Sequence, residues 1–287
     1  MKVAVTGAGG MLGKSLVDHI SKKKWVNLFA FDSTQLDVTD ILQVQSMLSS
    51  IKPEIVIHLA AKTDVDECEL HPEEAYRVNY LGTRYICYSC SAEDIALVYL
   101  SSDMIFDGSK NSPYIETDSP SPQNIYGKTK YAGEKVVELF VKRHYIIRSA
   151  WLFGGQHDHK FVRKFLNRVK DRQPLKAAVD LIGSPTYTED LAAKIVEIIE
   201  EGYPWGTYHV VNQGLCSRYE FAQHILTCIK YESAQVEPVP SSFFKLPAPR
   251  AGMSALQNYT LTLMNKNDLR PWQDALEQYL KRFKKNI

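Results

Sequence analysis

Thr6-Gly7-Ala8-Gly9-Gly10-Met11-Leu12-Gly13 is the stretch whose reading decides the fold. It follows a short apolar run at residues 2–6 and opens a helical pattern over residues 11–22, where Leu12, Leu16 and Ile20 recur at spacing four. In that setting each glycine has a mechanical use. Gly7 permits a tight turn, Gly10 lets the backbone approach a pyrophosphate, and Gly13 lets helix and sheet pack closely. The helix start at Met11 and Leu12 presents free N–H groups to the anion. A bare glycine triplet is weak evidence and is also compatible with a purely structural turn. Here it comes with the right strand, the right helix and an acid, Asp32, at the end of the next apolar run. That context predicts dinucleotide binding. Asp32 would accept hydrogen bonds from the adenine ribose hydroxyls, which favours NAD over NADP unless a nearby cation accommodates a 2′-phosphate. The competing reading of Asp32 is a loop residue capping a turn.

Working outward, short apolar runs at 2–6, 26–31, 55–59, 97–101 and 145–149 alternate with helical patterns at 11–22, 41–51, 72–92 and 125–141. Such alternation predicts an α/β fold, a doubly wound parallel sheet of the Rossmann type with right-handed crossovers. Residues 1–150 form the dinucleotide-binding domain on this reading. Beyond them the alternation becomes irregular, with helices expected at 160–171, 188–201, 219–231 and 272–283. Residues 151–287 are therefore read as a smaller mixed C-terminal substrate lobe, with segments returning to the first domain. Pro238, Pro240, Pro247 and Pro249 make residues 236–249 an irregular wall over a cleft rather than sheet.

The 287 residues are 45% hydrophobic and 23% charged, with a formal net charge of +1, so no global field exists to hold nucleic acid or an anionic membrane. The start of the chain lacks the apolar stretch of a secretory signal, and no run approaches the roughly 18 apolar residues of a membrane span. Cys68, Cys87, Cys90, Cys216 and Cys228 are an odd, scattered set, which argues against a disulfide framework and for a cytoplasmic location. The Cys87-x-x-Cys90 spacing fits thiols packed inward from a helix better than half a zinc site. His157-Asp158-His159 is read as surface loop, and no metal site is expected.

Tyr126-Gly127-Lys128-Thr129-Lys130 puts a phenol and an ammonium four residues apart on one helix face. Spacing alone favours an ordinary surface helix. Beside a nucleotide fold it becomes a proton-transfer pair, with the Lys130 charge expected to lower the Tyr126 pKa. Ser101-Ser102-Asp103 falls at the C-terminal end of a parallel strand, the edge at which such sheets bind ligands. Its hydroxyl could polarise a substrate carbonyl or simply cap the next turn.

Taken together, these elements resemble the extended short-chain dehydrogenase/reductases, and within them the dTDP-4-dehydrorhamnose reductase family. The resemblance is carried by Leu36-Asp37-Val38-Thr39-Asp40, His58-Leu59-Ala60-Ala61, Thr63-Asp64-Val65-Asp66, Val78-Asn79, Phe106-Asp107-Gly108 and Tyr126-Gly127-Lys128-Thr129-Lys130. It continues through Arg148-Ser149-Ala150-Trp151-Leu152-Phe153-Gly154, Gly183-Ser184-Pro185-Thr186 and Gly206-Thr207-Tyr208-His209, and so spans nearly the whole chain. It implies NADPH or NADH as hydride donor to C4 of a dTDP-4-keto-6-deoxyhexose, within dTDP-rhamnose and polysaccharide-precursor biosynthesis. Tyr126, Lys130 and Ser102 take the catalytic positions. Asp37, Val38, Ala60, Ala61 and Lys62 join the glycine turn and Asp32 around the cofactor. Thr63, Val65, Asp103, Trp151 and Arg250 would contact substrate, with Arg250 placing a cation near the diphosphate. The chain departs from the family at Met104, Leu181 and Ala251. Relatives that bind magnesium between subunits use clustered glutamates; Glu189 matches one, but Ser15 stands in the place of another. The dTDP-sugar is the expected partner, and a homodimer is left open. Two rival readings are a nucleotide-sugar epimerase or dehydratase that retains its NAD, and a non-catalytic regulatory subunit on the same fold.

Overall fold

The computed structural model describes residues 1–155, 160–231 and 234–281. The first strand, β1 (Lys2–Thr6), is buried at four of its five positions because helices cover both faces of the sheet it enters. It leads through the glycine turn into α1 (Met11–Ile20), then β2 (Asn27–Phe31), α2 (Ile41–Ile51) and β3 (Ile55–His58). Two short helices follow, α3 (Val65–Leu70) and α4 (Pro72–Tyr76), and then a π-helical stretch, Arg77–Gly82, that runs into α5 (Thr83–Ala92). β4 (Ala96–Ser102), α6 (Ile125–Phe140) and β5 (His144–Ser149) complete this half.

The second half starts with β6 (Leu152–Phe153), α7 (Phe161–Lys170), β7 (Leu175–Ala178), β8 (Ile182–Gly183) and β9 (Thr186–Tyr187). It continues with α8 (Thr188–Glu200), β10 (Gly206–His209), β11 (Cys216–Ser217), α9 (Arg218–Ile229) and β12 (Val236–Val239), and ends with α10 (Tyr259–Leu263) and α11 (Trp272–Leu280).

Six parallel strands form the main sheet in the order β10-β5-β4-β3-β1-β2. On one face Leu12, Leu16 and Ile20 of α1 pack with Leu191, Ile195 and Ile198 of α8. On the other, α2, α5 and α6 supply Leu48, Ile86 and Val137. A separate core in the lobe gathers Phe153, Phe165, Phe221, Trp272, Leu276 and Tyr279.

Three expectations need correction. The sheet has a sixth strand, β10, from the C-terminal half; only two of its four residues are buried, so it carries little apolar signal. The helix expected over 72–92 is interrupted at Arg77–Gly82, where Asn79 turns its amide to the Lys62 backbone and the Thr129 hydroxyl. Finally, the segment read as an irregular wall begins as strand. β12 pairs in parallel with β7 as one edge of a two-stranded ladder, and an edge tolerates Pro238 because its missing N–H need not be paired.

Candidate active site

A cleft of about 750 Å³ runs along the C-terminal ends of β1 to β5 and under the lobe. Gly7, Gly10, Met11, Leu12 and Gly13 line one end, with Asp32, Asp37, Val38, Ala60 and Ala61 beside them. Thr63, Val65, Ser102, Asp103, Tyr126 and Trp151 line the other. Lys62, Lys130 and Arg250 are not on the wall.

The glycine end fits a dinucleotide pyrophosphate. Gly7 has φ +71°, and a Cβ there would lie 2.6 Å from Ala60 N; one on Gly13 would lie 2.3 Å from Gly7 O. The turn is closed by Gly10 N donating to Gly7 O at 3.0 Å. Gly10 is the N-cap of α1, no side chain caps the helix, and its first turn carries no acid. The start of α1 is thus left to an external anion. α2, α6 and α9 open under Asp40, Asn124 and Ser217 side chains, whereas α7, α8 and α11 share the uncapped start; what sets α1 apart is the glycine turn with which its start lines the cleft. Asp32 reaches the cleft but also caps a turn: its Oδ1 accepts from Thr34 N at 2.9 Å, Thr34 Oγ1 at 2.6 Å and Gln35 N at 3.2 Å. The Thr34 bonds hold its carboxyl below the usual range, and Oδ2 takes none of these donors.

At the other end, α6 presses on the turn that follows β4. A Cβ on Gly127 would fall 2.0 Å from Met104 O, so only glycine lets the helix start this close and bring Tyr126 to the strand end. Ser102 Oγ accepts from Met104 N at 3.2 Å and donates to Asp103 Oδ1 at 3.0 Å, so it caps the turn and faces the cleft at once. Asp103 Oδ2 accepts from Ser254 Oγ at 2.6 Å. Burial pushes the Asp103 carboxyl up against those bonds. Burial also pushes the Tyr126 phenol up, opposed by Ser102 and reinforced by Asp103 and Cys68. Ser101 lines the same wall, and its buried Oγ has no partner among the described residues.

Lys130 departs from expectation. Its buried ammonium lies 4.1 Å from the Tyr99 ring centroid, and it is not among the groups that move the Tyr126 pKa. Spacing four does place both residues on one face of α6, but the lysine side chain turns behind the cleft wall. Burial pulls the Lys130 ammonium down to about 7, with Glu134 opposing. From there up to the ordinary 10.5 the folded chain binds fewer protons at this group than the unfolded chain does. Stability from Lys130 therefore rises as pH climbs through that window, and the full burial penalty stands below it. In Lys130→Met this increment vanishes. Urea midpoints at about pH 6.5 and about pH 9.5 should show wild type gaining on the variant as pH rises; a constant difference contradicts the assignment.

Arg250 is also engaged elsewhere. Its Nη1 and Nη2 donate to Asp66 Oδ1 and Oδ2 at 2.6 and 2.7 Å, tying the C-terminal segment to α3. Lys62 pairs through Nζ with Glu74 and offers its backbone to Asn79. Trp151 has φ +44°, a strained conformation for a bulky residue, and the indole edge occupies the space a Cβ on Gly183 would need. The sequence reading missed Arg218 and Phe161 on the wall beside Trp151. The one local signal was Ser217-x-x-Glu220, a capping box that places Arg218 at the first turn of a helix.

Among the described residues no group of three or more His, Cys, Asp or Glu is placed to hold a metal. Ser15 donates to Glu189 at 3.1 Å, and His19 faces the same carboxylate at 3.2 Å. His157-Asp158-His159 lies outside the described residues. No described helix is long and apolar enough to cross a membrane.

The model of the RmlD substrate binding domain matches residues 1–285. The chain is 35% identical to the spore coat polysaccharide biosynthesis protein SpsK of Bacillus subtilis, covering 97% of this chain and 96% of that protein. It is 33% identical to a dTDP-4-dehydrorhamnose reductase of Mycolicibacterium smegmatis, over 96% and 84% of the two chains. A crystal structure of dTDP-4-dehydrorhamnose reductase from Bacillus anthracis in complex with NADP superposes with a TM-score of 0.91 at 36% identity, covering 98% and 99%.

Proposed function

Because the chain belongs to the family of the RmlD substrate binding domain, we propose that it is an NAD(P)H-dependent reductase of the 4-keto group of a dTDP-4-keto-6-deoxyhexose. The reaction is of the dTDP-4-dehydrorhamnose to dTDP-L-rhamnose type and supplies a polysaccharide precursor. The observation that carries this reading is the single cleft in which an uncapped helix start and the Tyr126 phenol line the same space.

Reduced nicotinamide, when bound, supplies the hydride to C4. The N–H groups at the start of α1 hold the pyrophosphate, with Gly7, Gly10 and Gly13 allowing its approach. Asp32 would take a ribose hydroxyl, while Asp37, Val38, Ala60 and Ala61 would enclose the adenosine side; Lys62, paired with Glu74, stands off the wall. Tyr126 donates its proton to the oxygen at C4 as charge develops there. Burial raises the phenol above its ordinary range, so its proton leaves only as charge builds on the C4 oxygen. Ser102 donates a hydrogen bond to the same oxygen by turning from Asp103. Lys130 stands behind the wall on the Tyr99 ring and backs the helix face that carries Tyr126. Thr63, Val65, Asp103 and Trp151 surround the sugar, and Arg250 positions α3 through Asp66.

We place the enzyme in the cytosol, where its five cysteines, none of them in a disulfide among the described residues, stay reduced. The test is NADPH and NADH oxidation against dTDP-4-keto-6-deoxy sugars, with the C4 configuration of the product determined. One cofactor oxidised per sugar reduced is the expected stoichiometry. Turnover without net oxidation would replace this reading with the retained-NAD epimerase or dehydratase.

A further inference from the structure

Arg218 is the first residue of α9, and its backbone is fixed on two sides. Ser217 Oγ accepts from Glu220 N at 3.1 Å while Glu220 Oε2 accepts from Ser217 N at 2.7 Å, and Arg218 N donates to Leu181 O at 3.1 Å. The two-residue ladder of β8 and β11 pairs Cys216 with Gly183 and Ser217 with Ile182. This ladder sets Gly183 at the edge of the Trp151 indole and Arg218 over its face. The guanidinium carbon stands 3.4 Å from the Trp151 ring centroid and 5.0 Å from that of Phe161.

A stacked guanidinium leaves its in-plane N–H donors pointing sideways as a rigid fork. The neighbouring arginines have spent theirs: Arg250 on Asp66, Arg148 on Glu134, Arg270 on Asp190. Arg218 has not. Among the described residues its guanidinium makes no hydrogen bond and meets no carboxylate within ion-pair distance. The nearby Asp103 already accepts from Ser102 and Ser254, so it acts on Arg218 only through space. Burial lowers the guanidinium to about 10, which leaves it a cation at any working pH. Unspent donors on a half-buried cation at the cleft wall suit an anionic partner.

We propose that Arg218 is the residue that binds the diphosphate of the nucleotide sugar, gripping two of its oxygens with the fork that Trp151 holds flat. This rests on the reductase reading, under which two diphosphates enter one cleft. The glycine turn seats one at the cofactor end, and Arg218 lines the wall at the other end beside Trp151, Phe161 and Asp103. Arg218 thereby sets specificity for a sugar carried on a nucleotide over a free sugar.

The experiment is calorimetric titration of the full chain with dTDP, dTMP and thymidine for wild type, Arg218→Met and Arg218→Lys, with NADPH affinity and thermal stability as controls. Arg218→Met should weaken dTDP by about 10- to 100-fold, the scale for a hydrogen-bonded charged group, with dTMP affected less and thymidine hardly at all. Arg218→Lys should recover only part of the loss, since a point charge cannot replace the fork. NADPH binding should not change. Unchanged dTDP affinity in Arg218→Met, equal losses for dTDP and thymidine, or no dTDP binding by wild type would each overturn the proposal. So would variants that fail to fold, which would assign Arg218 to packing of the lobe. Wild type that binds dTDP through Arg218 but reduces no 4-keto sugar would sink the reductase reading and leave this one standing. Wild type that reduces the sugar while Arg218→Met keeps its dTDP affinity would do the reverse.

Discussion

Tyr126→Phe is expected to lower kcat by about 10²- to 10⁴-fold while the dissociation constant for NADPH stays nearly the same. The exchange removes one oxygen and keeps the ring, so packing against the wall is conserved. The backbone sets the position of the phenol. Asn124 Oδ1 accepts from Gly127 N at 2.8 Å, and Gly127 lets α6 rest on Met104 O. The geometry of the variant site should therefore match the wild type, and the loss should fall on the proton transfer. Steady-state rates with saturating cofactor, set beside fluorescence titration of NADPH, separate the two quantities. Full activity in Tyr126→Phe would remove the phenol from the reaction, and a parallel collapse of NADPH binding would make it a structural residue. Ser102→Ala is less clean as a probe, because the same hydroxyl accepts from Met104 N and holds the turn.

The contrast between Tyr126 and Arg218 shows what can be read from the order of residues. Strand, glycine turn and helix are consecutive, so the cofactor end of the cleft is written in one local stretch; β1, β3, β4 and β5 follow from apolar runs buried on both faces, while β2, at the sheet edge, is only partly buried. Tyr126 and Ser102 sit in local motifs of the same kind. Arg218 owes its place to a two-residue ladder and to an indole from the far side of the lobe, and neither leaves a periodic trace. β10 is sheet only because Gly206 to His209 find Tyr145 to Arg148, a nonlocal pairing with little apolar patterning behind it. The Arg250 guanidinium likewise finds Asp66 across most of the chain, which turns an expected free cation into a clasp. Lys130 adds a subtler limit. Spacing four identifies its helix face, but only coordinates show the ammonium lying on Tyr99.

The same helix face continues one turn further, to Glu134, and there the largest effect on stability is expected. Glu134 is fully buried and holds Arg148 of β5 bidentately, Nε to Oε1 at 3.0 Å and Nη2 to Oε2 at 2.8 Å. Arg148 Nη1 donates to Glu116 O at 3.2 Å, and its guanidinium faces the Phe106 ring at 5.6 Å. Water has no ready access to replace a lost partner. Glu134→Ala leaves a guanidinium charge in the core and should cost about 3–5 kcal/mol, the range for breaking a buried pair from one side. Removing both charges in Glu134→Leu/Arg148→Met should recover most of that, because apolar replacement spares the desolvation of two ions. Urea unfolding of Glu134→Leu, Arg148→Met and the double variant gives the coupling energy directly. Catalysis should suffer even in molecules of Glu134→Ala that remain folded. Glu134 favours the charged form of Lys130, and it anchors α6, which carries Tyr126, to the strand at its back. A single-variant cost below about 1 kcal/mol, the level of an exposed pair, would show that solvent reaches the site and that this clasp does not hold the catalytic helix.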